Sequence, residues 1–165
     1  MKILGIDHVS VTTADITTSL AFYRDLLGIP VRAVGELSGD EVERITGVGD
    51  ARLLTADLDL GGGQVLELVE YVGLGEGKAL PLERAGSGHI GLQVDDIDAI
   101  HRRLLDAGVE VRSEPVTLTE AGDWHGVRCM TVLDPDGVAV ELVQRALKIP
   151  AAPDVATVGR IDIPP

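Results

Sequence analysis

Two histidines and two glutamates recur at matching places in this chain. Ile6-Asp7-His8-Val9-Ser10-Val11-Thr12-Thr13-Ala14-Asp15-Ile16 returns as Ser87-Gly88-His89-Ile90-Gly91-Leu92-Gln93-Val94-Asp95-Asp96-Ile97. Downstream of each copy lies a lone acid amid apolar residues, in Leu66-Glu67-Leu68 and again in Val140-Glu141-Leu142. Imidazole nitrogen and carboxylate oxygen are the donors a divalent cation accepts. A duplication that preserves both points to one shared metal centre built from two halves, with His8, Glu67, His89 and Glu141 as its ligands.

The elements that must carry these residues follow from periodicity. Residues 6–13 alternate as a strand, with His8, Ser10 and Thr12 on one face and Val9 and Val11 on the other. The second copy sets His89, Gly91 and Gln93 against Ile90, Leu92 and Val94. After each strand an aspartate is placed to cap a helix: Asp15 before Ile16, Leu20, Tyr23 and Leu27, and Asp96 before Ile97, Ile100, Leu104 and Ala107. Gly28 and Gly108 stop the two helices. Strands are then expected at 31–34, 51–60 and Gln64–Tyr71, and again at 109–116, 127–133 and 138–144. Gly61-Gly62-Gly63 and Asp134-Pro135-Asp136-Gly137 read as tight turns. No Lys-Ser/Thr follows the glycine triplet, which therefore does not read as a phosphate loop.

The unit is βαβββ, used twice. The fold class expected is α+β, with two pseudo-symmetric βαβββ modules forming a cup-shaped, mostly antiparallel sheet and the helices outside. Residues 1–72 make the first module, 73–87 a linker rich in glycine, 88–147 the second module and 148–165 a proline-rich tail. By alternation Val65, Glu67, Val69 and Tyr71 share a face, as do Ala139, Glu141 and Val143. An uncompensated buried carboxylate among such neighbours costs roughly several kcal/mol, and a cation supplies the compensation.

Composition narrows the partners. Fourteen basic and twenty-seven acidic side chains give a net charge of −13, which repels phosphate backbones and argues against nucleic acid. No apolar run is long enough to span a bilayer, and the first residues lack a signal-peptide pattern, so no membrane partner and a cytoplasmic location are expected. Cys129 is the single cysteine and reads as a packing residue in a strand.

The landmarks Asp7-His8-Val9, the helix run from Ser19 to Gly28, Leu66-Glu67-Leu68-Val69-Glu70-Tyr71, Gly88-His89-Ile90 and Asp134-Pro135-Asp136-Gly137 with Glu141-Leu142-Val143 resemble the vicinal oxygen chelate superfamily. This group includes glyoxalases, bleomycin resistance proteins and dioxygenases, and the resemblance runs from about Ile6 to Gln144. It implies the same four ligands, and the glutamate at Glu67 resembles the four-ligand glyoxalase I-like members most closely. The reaction implied is proton abstraction next to a carbonyl through an enediolate, giving an isomerase, lyase or epimerase, with Ni2+, Co2+, Zn2+ or Mn2+ bound. Glu67 or Glu141 would be the base, and Glu43 a reserve base. Glu70 faces away by alternation and is left out. Two other chemistries fit the superfamily: an extradiol ring-cleaving dioxygenase holding Fe2+, and a non-catalytic antibiotic-binding resistance protein. The second is disfavoured by a chain with only four aromatic residues. The resemblance also implies a small-molecule substrate and a homodimer; members either close the site within one chain or share it between two, and the linker permits both.

Overall fold

A computed structural model describes residues 2–74, 77 and 79–145; the expected tail at 148–165 lies outside the described residues. Two four-stranded sheets organise the chain. The first contains β1 (Val9–Thr13), β2 (Val31–Ser38), β3 (Arg52–Gly61) and β4 (Gln64–Tyr71), in the order β1-β4-β3-β2. The second contains β5 (His89–Gln93), β6 (Val116–Thr117), β7 (Arg128–Leu133) and β8 (Ala139–Gln144), in the order β5-β8-β7-β6. In each, the first strand pairs in parallel with the last and the remaining neighbours are antiparallel. This is the duplicated α+β architecture expected from the repeat.

The helices begin as the caps dictate. Asp15 accepts a hydrogen bond from the Thr18 amide at the start of α1 (Ile16–Leu20), and Asp96 accepts one from Ala99 at the start of α3 (Ile97–Asp106). The first free amide of each helix is held from the sheet: Glu70 Oε2 accepts from Ile16 N at 2.9 Å, and Gln144 Oε1 from Ile97 N at 3.2 Å. Glu70 thus faces the helix, as alternation required.

Three local expectations need correction. The first helix changes at Ala21 to a π-helical segment, Ala21–Leu26, in which Leu27 N bonds to Phe22 O at 2.9 Å. The wider turn brings both Phe22 and Tyr23 into the core, where their rings meet edge to face at 5.0 Å. The strand expected over 109–116 shrinks to β6, preceded by a single bridge between Val111 and Val132. Pro115 has no amide to donate and interrupts that ladder. A short helix not anticipated as an element, α2 (Asp40–Thr46), follows β2 and packs Val42 and Val48 against Leu53, Val69 and Tyr71.

One core joins the halves. Leu66, Leu68, Leu58 and Tyr23 of the first unit and Leu142, Val140, Val132, Ile97 and Leu104 of the second are buried in a single cluster. At one seam the joint is also polar. Thr13 Oγ1 donates to Asp136 Oδ2 at 2.6 Å, and Tyr23 OH donates to Asp134 Oδ2 at 2.9 Å. Asp134 Oδ1 accepts the amides of Asp136 and Val138, which closes the turn before β8. At the opposite seam the apolar side chains of Val94, Ile100 and Leu60 line a cavity of about 290 Å3. Among the described residues no helix is long and apolar enough to cross a membrane.

Candidate metal-binding faces

Each sheet presents one face to its helix and one away from it. On the first, Val11, Leu66, Leu68, Ala56 and Leu58 point into the core, which leaves Ser10, Glu67 and Asp57 on the other side. His8 stands just before β1 and continues that alternation. Its Nε2 lies 3.6 Å from Glu67 Oε2. The second sheet repeats the pair: His89 Nε2 lies 3.6 Å from Glu141 Oε2.

The geometry suits a cation between the two groups of each pair. Metal–nitrogen and metal–oxygen distances near 2.1 Å in a tetrahedral site place the two donors about 3.4 Å apart. The glutamate side chains are 23% and 27% exposed and the histidines 47% and 58%, so each pair is open on the side where further ligands would enter.

The two pairs are not equivalent in their support. His8 Nδ1 lies 2.9 Å from Asp7 Oδ1, and this hydrogen bond is the largest influence raising the His8 pKa above its ordinary value, with Glu67 and Asp57 adding to it. An Nδ1–H held by Asp7 leaves the Nε2 lone pair directed at Glu67. At the second pair the residue before the histidine is Gly88, with no side chain to play that part. Gly91 stands beside Glu141 in the β5–β8 register, and a methyl group there would come within 3.8 Å of Glu141 Oε2.

Sequence reasoning passed over Asp57. It is the register partner of Glu67 on β3, and together with Asp7, His8, Arg32 and Glu67 it lines a cavity of about 480 Å3. The signal was present in the alternation of Thr55-Ala56-Asp57-Leu58, which puts Asp57 opposite the buried Ala56 and Leu58. Glu43, by contrast, lies in α2, where Oε1 accepts the Asp50 amide at 2.7 Å. Cys129 lies on β7 beside Val143, and burial, followed by the charge of Glu141, pushes its thiol pKa up.

Within one chain the two pairs remain separate. Among the described residues no three His, Cys, Asp or Glu side chains gather closely enough to hold a metal ion. The pairs are nonetheless neighbours: His8 and His89 both line a cavity of about 460 Å3 between β1 and β5, with Val9, Leu60, Gln64, Ile90 and Gly91.

Comparison with known proteins agrees with this architecture. The family model described as Glyoxalase/Bleomycin resistance protein/Dioxygenase superfamily matches residues 5–142. The "Probable lactoylglutathione lyase" of Synechocystis sp. is 30% identical over 148 residues, covering 86% of this chain and 95% of that protein. Among solved structures, a glyoxalase family protein from Bacillus cereus superposes with a TM-score of 0.73 at 20% identity, covering 87% of this chain and 95% of that one. The fosfomycin resistance protein FosX from Listeria monocytogenes, complexed with Mn(II) and sulfate, superposes with a TM-score of 0.55 at 18% identity, covering 88% and 96%. With the duplicated fold and a family match spanning nearly all of both sheets, the chain belongs to the glyoxalase/bleomycin resistance/dioxygenase, or vicinal oxygen chelate, superfamily.

Proposed function

We propose that this protein is a metal-dependent isomerase, lyase or epimerase of the glyoxalase type, acting on a small carbonyl compound. The observation that carries the reading is the twofold occurrence of one His Nε2–Glu Oε2 pair, at 3.6 Å in both sheets. One pair offers two donors, and two pairs offer the four that a closed site needs. The pairs of a single chain stay apart, so the reading places His8 and Glu67 of one copy opposite His89 and Glu141 of a second.

His8, Glu67, His89 and Glu141 would hold a divalent cation, which would supply Lewis acidity to the substrate carbonyl. The chain's own residues do the rest. Asp7 fixes the ring of His8 through Nδ1. Glu67 or Glu141 takes the proton from the carbon next to the carbonyl on a carboxylate oxygen, leaving an enediolate. Return of that proton to the neighbouring carbon gives isomerisation, and return to the opposite face of the same carbon gives epimerisation. The name of the Synechocystis relative, a probable lactoylglutathione lyase, lies in the same direction.

The test begins with metal analysis of protein purified without chelators, followed by NMR of deuterium exchange from solvent into 2-oxo and thioester compounds. Stoichiometric Ni, Co, Zn or Mn with exchange that disappears in Glu67→Gln or Glu141→Gln is the expected result. Metal-free protein without exchange would overturn the reading, and iron with oxygen uptake on a catechol would replace it by ring cleavage.

A further inference from the structure

The face of the second sheet that carries Glu141 continues along β8. Alternation puts Ala139, Glu141, Val143 and then Arg145 on that side, while Leu142 is in the core and Gln144 bonds to the start of α3. At the far end the Arg145 guanidinium lies 4.3 Å above the ring centroid of Trp124. Trp124 is 45% exposed, unusual for so large a ring.

The loop that presents this ring is tied down at its base. Leu118 N bonds to Val127 O and Gly126 N to Leu118 O, at 2.9 and 2.8 Å, and Val127 N bonds to Trp124 O at 3.1 Å. His125 Nδ1 lies 3.1 Å from Thr119 O. The backbone that presents the ring is therefore held in place.

Stacking occupies one face of the guanidinium and leaves its N–H edges free to meet a planar oxyanion side-on. Its one hydrogen bond among the described residues is a long one, from Nη1 to Asp123 O at 3.4 Å, and no carboxylate there forms an ion pair with it. In a chain of net charge −13, a cation left facing outward on the catalytic side is a selective feature.

We infer that Trp124 and Arg145 form an oxyanion-binding shelf that selects substrates with a carboxylate or phosphate at the end remote from the reacting carbons. The four steps from Glu141 to Arg145 span about 13 Å of extended chain, so the substrate is elongated. The assignment of the remote end rests on the function proposed above; the shelf itself does not.

Trp124 is the sole tryptophan in the sequence, so tryptophan fluorescence, excited selectively over Tyr23 and Tyr71, reports on this place alone. The full chain is titrated with glutarate and, separately, inorganic phosphate, at constant ionic strength against chloride. The expected result is a saturable change in fluorescence, weakened by about tenfold or more in Arg145→Met, as loss of a charge-assisted bidentate contact requires. Arg145→Lys, which keeps the charge but not the planar fork, should fall between the two. A response to glutarate alone identifies a carboxylate, and to phosphate alone a phosphoryl group. His89→Ala should keep the response, because the shelf does not need the metal pair; an unsubstituted chain that gives this response yet holds no metal and catalyses no exchange would sink the proposed function and spare the shelf. No saturable response to either anion, or a response unchanged in Arg145→Met, would overturn the shelf.

Discussion

His8 and His89 are the same residue in two settings, and the difference is Asp7. A carboxylate on Nδ1 raises the proton affinity of His8, and that proton competes with a cation for the imidazole. If His8 is a ligand as proposed, its raised pKa makes cation binding at this ring weaken as pH falls through the raised value. Asp7→Asn should lower that pKa and move the acid limb of metal loading to lower pH, which a metal titration across weakly acidic pH would measure; an unshifted limb would remove Asp7 from this role. Gly91 offers a second handle. Gly91→Leu puts a side chain against Glu141 Oε2 and should reduce metal affinity by roughly tenfold or more, in line with the cost of disturbing a ligand's immediate support. Circular dichroism should remain that of the folded protein. The two His–Glu pairs were legible because they are duplicated and lie at fixed places in or beside strands; that all four residues serve one cation is the proposal. Asp57 and Arg145 have no duplicate, since Thr131 stands across from Glu141 and Arg145 lies one residue past β8, so a reading built on repetition had no reason to stop at them.

The elements were legible to the extent that their periodicity had one interpretation. The second helix ran as read, from the Asp96 cap to Asp106, and β4 took the bounds Gln64–Tyr71 that alternation gave it. The first helix was ambiguous because Ile16, Leu20, Tyr23 and Leu27 satisfy an α-helical stripe, while only packing decides that Phe22 must be buried with Tyr23. The short helix α2 lacks a side-chain cap at Gly39 and is seven residues long, so its sequence carries little helical signal; what holds it is Val42 against the β3–β4 face. Capping energetics can be checked on the better-defined helix. Asp96→Ala should destabilise the protein by about 1 kcal/mol in urea denaturation, through loss of the bond to the Ala99 amide.

On the scale of the whole molecule, the separation of the two His–Glu pairs is the fact with the sharpest consequence. If the metal centre is shared between copies, His8→Ala and His89→Ala proteins are each inactive, yet co-refolding them in equal amounts should restore about a quarter of wild-type activity. Half the dimers are then mixed, and each mixed dimer keeps one intact site. A centre closed within one chain would give no recovery. The seam between the halves makes a separate prediction. Burial pushes the Asp134 pKa up, so its protonated form favours the fold: that contribution is complete below the ordinary aspartate value and is lost as pH rises through the raised one. Tyr23 donates to the ionised form and opposes the loss. Tyr23→Phe should therefore cost about 1–2 kcal/mol near neutral pH, and less below about pH 4, where the carboxylate is neutral. Equal cost at both pH values would disprove the linkage. The repeat made the two modules legible, but not this seam, since nothing in the duplicated strands says that Tyr23 and Asp134 meet.

That meeting sets an order of events at the ribosome. The acceptor for the Tyr23 hydroxyl lies 111 positions downstream, so when the N-terminal half emerges, its most deeply buried aromatic has nothing to donate to. Translation must pass the turn that precedes β8 before the carboxylate arrives already braced. The nascent first half is thus kept provisional, free to rearrange until its twin exists, and docking of the finished halves becomes the late, sequence-distant step of biogenesis.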